Sequence, residues 1–182
     1  MDIDEHPGRP YKIAPEDISA QQSALIERVK AGPRGRMPPN LSIWLNNIEF
    51  AEVAEKFGEY VSQKAKFAPR AKEIIILVVA SHWRSEFEWF FHSSMGKKLG
   101  ITDAQVDALW NKTDPKFADP VDQITYELVF ALNEKHEISD DLHKRAFEKL
   151  GHVGVSDIIG LAGLYSMIAQ TIMFYKLSPP KP

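Results

Sequence analysis

Ile74-Ile75-Ile76-Leu77-Val78-Val79-Ala80 is the stretch on which the fold turns. By propensity alone this apolar run reads as a buried strand. A lone strand leaves its backbone donors and acceptors without partners, however, and no second strand is legible elsewhere in the chain. Pro69 suits the first turn of a helix running to about His82. The run is therefore predicted to be the central, fully buried helix of an all-α protein.

The punctuation on either side is that of helices. Upstream, Pro15-Glu16-Asp17 makes a good first turn, with Ile18, Leu25 and Val29 down one side, Lys30 near the end and Gly32 just past it. Gly32-Pro33-Arg34-Gly35-Arg36-Met37-Pro38-Pro39 is a loop. Asn40 is placed to cap a helix carrying Leu41, Trp44, Leu45 and Ile48, and Phe50, Val53, Phe57, Tyr60 and Val61 continue a helical period. Downstream, Thr102-Asp103-Ala104-Gln105 is a capping box ahead of Val106, Leu109 and Trp110. Asp119-Pro120 opens a helix through Val121, Ile124, Leu128 and Leu132. Ser139 caps another that carries Leu142, Ala146 and Leu150 and stops at Gly151. There is no hairpin dipeptide and no internal repeat.

Composition narrows the function. The 182 residues are 44% hydrophobic and 26% charged, the mix of an ordinary globular protein. With 22 basic against 25 acidic side chains the net charge is −3, which gives no electrostatic footprint for nucleic acid or for a membrane surface. The chain has no cysteine, so disulfides, thiolate-ligated metals and cysteine nucleophiles are excluded. The acidic start lacks the basic and apolar regions of a secretory signal, and a cytoplasmic location is expected. Residues 158–175 carry no formal charge and read as a helix buried in a bundle or subunit interface rather than as a membrane span. The expected organisation is a flexible N-terminal segment (1–14), a single all-α domain (15–177) and a C-terminal tail (178–182). His6, His136, His143 and His152 lie in or beside polar stretches and are expected on the solvated surface.

The chemistry-bearing stretch runs from Glu73 to His92. On a helix Glu88 and His92 are i and i+4 and share a face, Ser85 lies one turn earlier on it, and Glu86 points away. Trp83, Phe87, Trp89, Phe90 and Phe91 wrap these polar residues in aromatic surface. A carboxylate and an imidazole so enclosed exchange protons near neutral pH. Glu73, on the preceding helix, is the candidate third member. From spacing alone, a solvated Glu/His pair is the commoner meaning of this pattern. Glu73, His82, Glu88 and His92 also have ligand chemistry, but their spacing matches no specific metal motif.

The order Glu73-x11-Ser85-x2-Glu88-x3-His92 resembles the core of the carboxymuconolactone decarboxylase and alkyl hydroperoxidase D superfamily. In the hydroperoxidase branch two cysteines stand where this chain has Ser85 and Glu88. The acidic run Glu86-Phe87-Glu88 before the histidine is closer to the decarboxylase branch, where a histidine can stand at the place of Phe87. Met37-Pro38-Pro39-Asn40-Leu41, Phe57-Gly58-Glu59-Tyr60, Pro69-Arg70-Ala71-Lys72-Glu73, Gly100-Ile101-Thr102 and Gly163-Leu164-Tyr165 extend the resemblance over roughly Met37 to Tyr175.

The resemblance implies an oligomeric helical bundle, trimeric or hexameric, that needs no cofactor and no metal. It implies a decarboxylase, or a related lyase or isomerase, acting on a small unsaturated lactone or carboxylic acid. His92 is then the hydrogen-bond donor or proton shuttle, Glu88 the group that sets its tautomer and charge, and Glu73 the support. Ser85, Glu86, Trp89 and Arg70 are the expected substrate-binding residues, with Arg84 an alternative to Arg70 as partner of a substrate carboxylate. The superfamily's peroxiredoxin-type activity is disfavoured by the absence of cysteine. A non-catalytic oligomer that binds a small ligand is the other alternative.

Overall fold

Pro69 at a helix N-terminus and left-handed Arg84 (φ 51°) past its C-terminus bound the run that decides the architecture. It forms helix α4 (Pro69–Trp83), in which Ile74 to Ala80 are all buried. A computed structural model describes residues 8–10, 12–33 and 35–180 of the chain. His6, most of the N-terminal segment 1–14 and the last two residues of the tail lie outside those described. The regular structure of the described residues is helical, with no strand: α1 (Ala20–Ala31), α2 (Pro39–Trp44), α3 (Ile48–Gln63), α4, α5 (Glu86–Lys98), α6 (Asp103–Trp110), α7 (Pro120–Phe130) and α8 (Asp140–Tyr175), with a π-helical turn at Ala131–Lys135.

Contacts divide the chain into two compact units. One consists of the described residues up to 63 and from 171 onward. In it α3 packs with α1 and α2. The Trp44 indole N–H donates to Thr171 Oγ1 (3.0 Å), and Arg9 donates through its backbone N–H and its guanidinium to Tyr175 O and Phe174 O (both 2.8 Å).

Three details of this unit differ from the sequence expectation. Pro15–Asp17 is a separate 3-10 turn and Ile18 is extended and exposed. The helix starts two residues later, because Ser19 and Gln22 form a reciprocal capping box that satisfies two orphan donors at once. α2 begins at Pro39, whose missing N–H costs nothing at a first helical position, so Asn40 lies inside the helix rather than capping it. On α3 the stripe Phe50, Val53, Phe57 and Tyr60 is exposed, and the buried face is Ala51, Ala54, Gly58 and Val61. Small residues let neighbouring helix axes approach closely, and period alone cannot tell which of two apolar stripes faces inward.

The second unit, residues 64–170, is built on α4, which packs against α5, α6, α7 and the π-helical turn. Its termini follow the sequence signals. Thr102 and Gln105 make the capping box of α6. The Asp119 side chain accepts from the backbone N–H of Val121 (2.7 Å) and Asp122 (3.1 Å). Ser139 Oγ accepts from Leu142 N–H (3.2 Å). The Ser139-capped helix does break at Gly151 (φ 64°, ψ 179°), a conformation essentially restricted to glycine, but α8 resumes at once in a new direction. The uncharged second half of α8 buries Ile158, Leu161, Leu164 and Ile168.

Candidate active site

α4 and α5 together build the site. Glu73 lies one turn inside α4, on the same buried helix that carries the Ile/Val run, and is itself 2% exposed. Backbone bonds from Arg84 N to Ser81 O (3.3 Å) and from Ser85 N to Ala80 O (2.9 Å) close the turn after α4, and Ser85 becomes the N-cap residue of α5. The chain thus reverses, and His92 returns against Glu73 across nineteen positions of sequence.

His92 is held at both ring nitrogens. Nδ1 meets Glu73 Oε2 at 2.7 Å, a short hydrogen bond, and Nε2 stands 3.4 Å from Glu88 Oε2. The short bond therefore comes from the neighbouring helix, and the i, i+4 partner is the looser of the two. Burial pulls the imidazolium toward neutrality, but the hydrogen bonds and charges of Glu73 and Glu88 more than reverse this, and the His92 pKa is raised to about 9. At neutral pH the ring is a cation between two carboxylates. The Glu73 side chain is 3% exposed, Glu88 9% and His92 12%.

Two further side chains are candidates for this site, Ser85 and Tyr165. Ser85 is 7% exposed, yet its Oγ has no hydrogen-bond partner and, unlike Ser19 and Thr102, does not cap its own helix. Leaving a buried hydroxyl unpaired costs about 1–3 kcal/mol. Tyr165, on the second half of α8, stands perpendicular to the His92 ring (88°) with centroids 5.2 Å apart. Nothing in the spacing of the sequence marks Tyr165, because its helix is set by the break at Gly151.

The other residues expected at the site have partners of their own or face solvent. Arg70 lies against buried Asp122 (Nε to Oδ2 3.0 Å) and over the Phe117 ring, 5.7 Å from its centroid. Glu86 is exposed in the first turn of α5. Trp89 packs on Trp110 at 4.7 Å, while Arg84 stacks over that same indole and donates to Trp110 O (2.7 Å). His82 belongs to a different cluster: Glu134 Oε1, on the π-helical turn, accepts from Lys112 Nζ (2.6 Å) and lies 2.8 Å from His82 Nδ1. Among the described residues no group of three His, Asp or Glu side chains is arranged to hold a metal ion.

The helical arrangement is the alkyl hydroperoxidase D-like fold. Solved structures that share it include a cysteine-to-alanine variant of the debrominase Bmp8 in complex with 2,3,4-tribromopyrrole (TM-score 0.70, 9% identity, 92% of this chain and 89% of that one). The apo form of Bmp8 matches equally well (TM-score 0.70, 9% identity, 92% and 90% coverage). An uncharacterized peroxidase-related protein from Silicibacter sp. TM1040 matches with TM-score 0.71 and 14% identity over 92% of this chain and 87% of that one. At these identities the likeness is one of fold. No protein-family model and no curated protein matches the sequence.

Proposed function

We propose that this chain is a cofactor-independent decarboxylase, or a related lyase or isomerase, that acts on a small unsaturated lactone or carboxylic acid by proton transfer from His92. The observation that carries the reading is the enclosed Glu73–His92–Glu88 cluster, which keeps an imidazolium charged well past neutral pH. A ring in that state is an acid and a hydrogen-bond donor, not a base. Its Nδ1–H is committed to Glu73 at 2.7 Å, so the proton available to a substrate is the one on Nε2, beside Glu88.

In a decarboxylation, the pair of electrons from the breaking carbon–carboxylate bond delocalises through the adjacent double bond onto a carbonyl oxygen, and carbon dioxide leaves. The dienolate then takes a proton at carbon from Nε2 of His92, and the neutral imidazole is reprotonated from solvent. Glu73 holds the tautomer and Glu88 stabilises the cation before transfer. The Ser85 hydroxyl, buried at the N-cap of α5 without a protein partner, is the proposed donor to the developing oxyanion. A chain without cysteine supports no thiol-based route.

The test is incubation of the protein with 4-carboxymuconolactone and related unsaturated lactone acids while carbon dioxide release is followed. We expect release, and we expect His92→Gln to lower it by about 10²–10³-fold, the usual effect of losing one transition-state donor. A folded His92→Gln protein with full turnover refutes the assignment. A ligand held unchanged over hours identifies a binding protein instead.

A further inference from the structure

We propose that Tyr165 is a positioning residue of this site: its ring, perpendicular to the His92 imidazole, limits the tilt of that ring and keeps both nitrogens on their carboxylates. The two contacts of His92, to Glu73 at 2.7 Å and to Glu88 at 3.4 Å, are made at its two ring nitrogens, and a line through those nitrogens is the axis they leave. They fix where the nitrogens are, but leave the ring free to rock about that line. Tyr165 closes this freedom with a perpendicular ring at 5.2 Å. Perpendicular pairing is the arrangement in which the positive rim of one ring meets the negative face of another, and a cationic imidazole strengthens it. An aliphatic side chain of similar bulk fills the space without that attraction. The groups that set the charge of His92 are Glu73, on α4, and Glu88, on its own helix, and Tyr165 adds a third element, α8.

The consequence for turnover rests on the proton-donor reading above, whereas the consequence for titration rests on the ring contact alone. The experiment is therefore NMR titration of the His92 ring in the full chain. Wild type should show a nuclear Overhauser contact between Tyr165 ring protons and a His92 ring C–H. Tyr165→Phe keeps the ring, so the ring contact predicts a His92 midpoint closer to wild type than that of Tyr165→Leu. Tyr165→Leu should lower it by about half a unit and broaden the ring signals. Absence of the wild-type contact overturns the proposal, as does a folded Tyr165→Leu protein whose His92 titrates like wild type. If Tyr165→Leu fails to fold, Tyr165→Met replaces it, and the wild-type contact decides independently of either. A moved midpoint in a protein that converts no substrate keeps Tyr165 in place and sinks only the reaction.

Discussion

Replacing Glu73 by Gln removes one negative charge from the buried cluster while keeping the size of the side chain and one acceptor oxygen. In the folded protein the His92 pKa is raised to about 9 from the ordinary imidazole value of 6.5, a gap of about 2.5. At about 1.4 kcal/mol per pKa unit, the protonation of His92 in this cluster contributes about 3–4 kcal/mol of stability. The folded-state pKa is raised, so this stability is complete below about pH 6.5, falls as the unfolded chain releases its proton first, and is gone once pH passes about 9. Glu73 sits at 2.7 Å and Glu88 at 3.4 Å, so Glu73 carries the larger share. We therefore expect Glu73→Gln to lower stability by about 2 kcal/mol near pH 6 and to leave it unchanged above about pH 10. Urea unfolding at the two pH values measures this directly, and the His92 midpoint, read by NMR, should fall with it. A variant that loses stability equally at both pH values, or whose His92 still titrates near 9, refutes the reasoning.

Three other outcomes are expected. Turnover should hold steady from neutral pH upward and decline through about pH 9, as His92 loses its proton; a pH–rate profile that instead rises through that range makes His92 a base. Ser85→Ala removes an unpaired buried hydroxyl, so its unfolding free energy should stay level or rise by up to about 1 kcal/mol, while turnover drops; equal turnover places Ser85 outside the reaction. Gly151→Ala forces a side chain into φ 64°, ψ 179° with open space around it, so backbone strain alone should cost about 1–3 kcal/mol in thermal unfolding; no cost means the two halves of α8 can rejoin another way.

Much of the architecture is legible in the sequence because its signals are local. Pro69, the Thr102 capping box, Asp119-Pro120 and Ser139 each announce a helix start through the orphan N–H groups that every helix must satisfy. Where two local signals compete, the stronger hydrogen-bond arrangement decides. Ser19 with Gln22 overrides Pro15-Glu16-Asp17, and the first-turn preference of Pro39 overrides Asn40. The outward stripe of α3 was illegible for a different reason. Phe50, Val53, Phe57 and Tyr60 repeat as regularly as any core face, and only the packing of α1 and α2 selects Ala51, Ala54, Gly58 and Val61 instead.

The same division runs through the site. By itself the sequence determined the residue types, the helical pairing of Glu88 with His92, and the absence of any thiol. Tertiary structure alone decided that Glu73, not Glu88, makes the short bond to His92. It also decided that Ser85 stays buried without a partner and that Tyr165 faces the imidazole. The physical reason is range. Helix periodicity relates residues three or four apart, whereas the turn at Arg84 and the break at Gly151 set how separate helices meet, and the charge on His92 depends on that meeting.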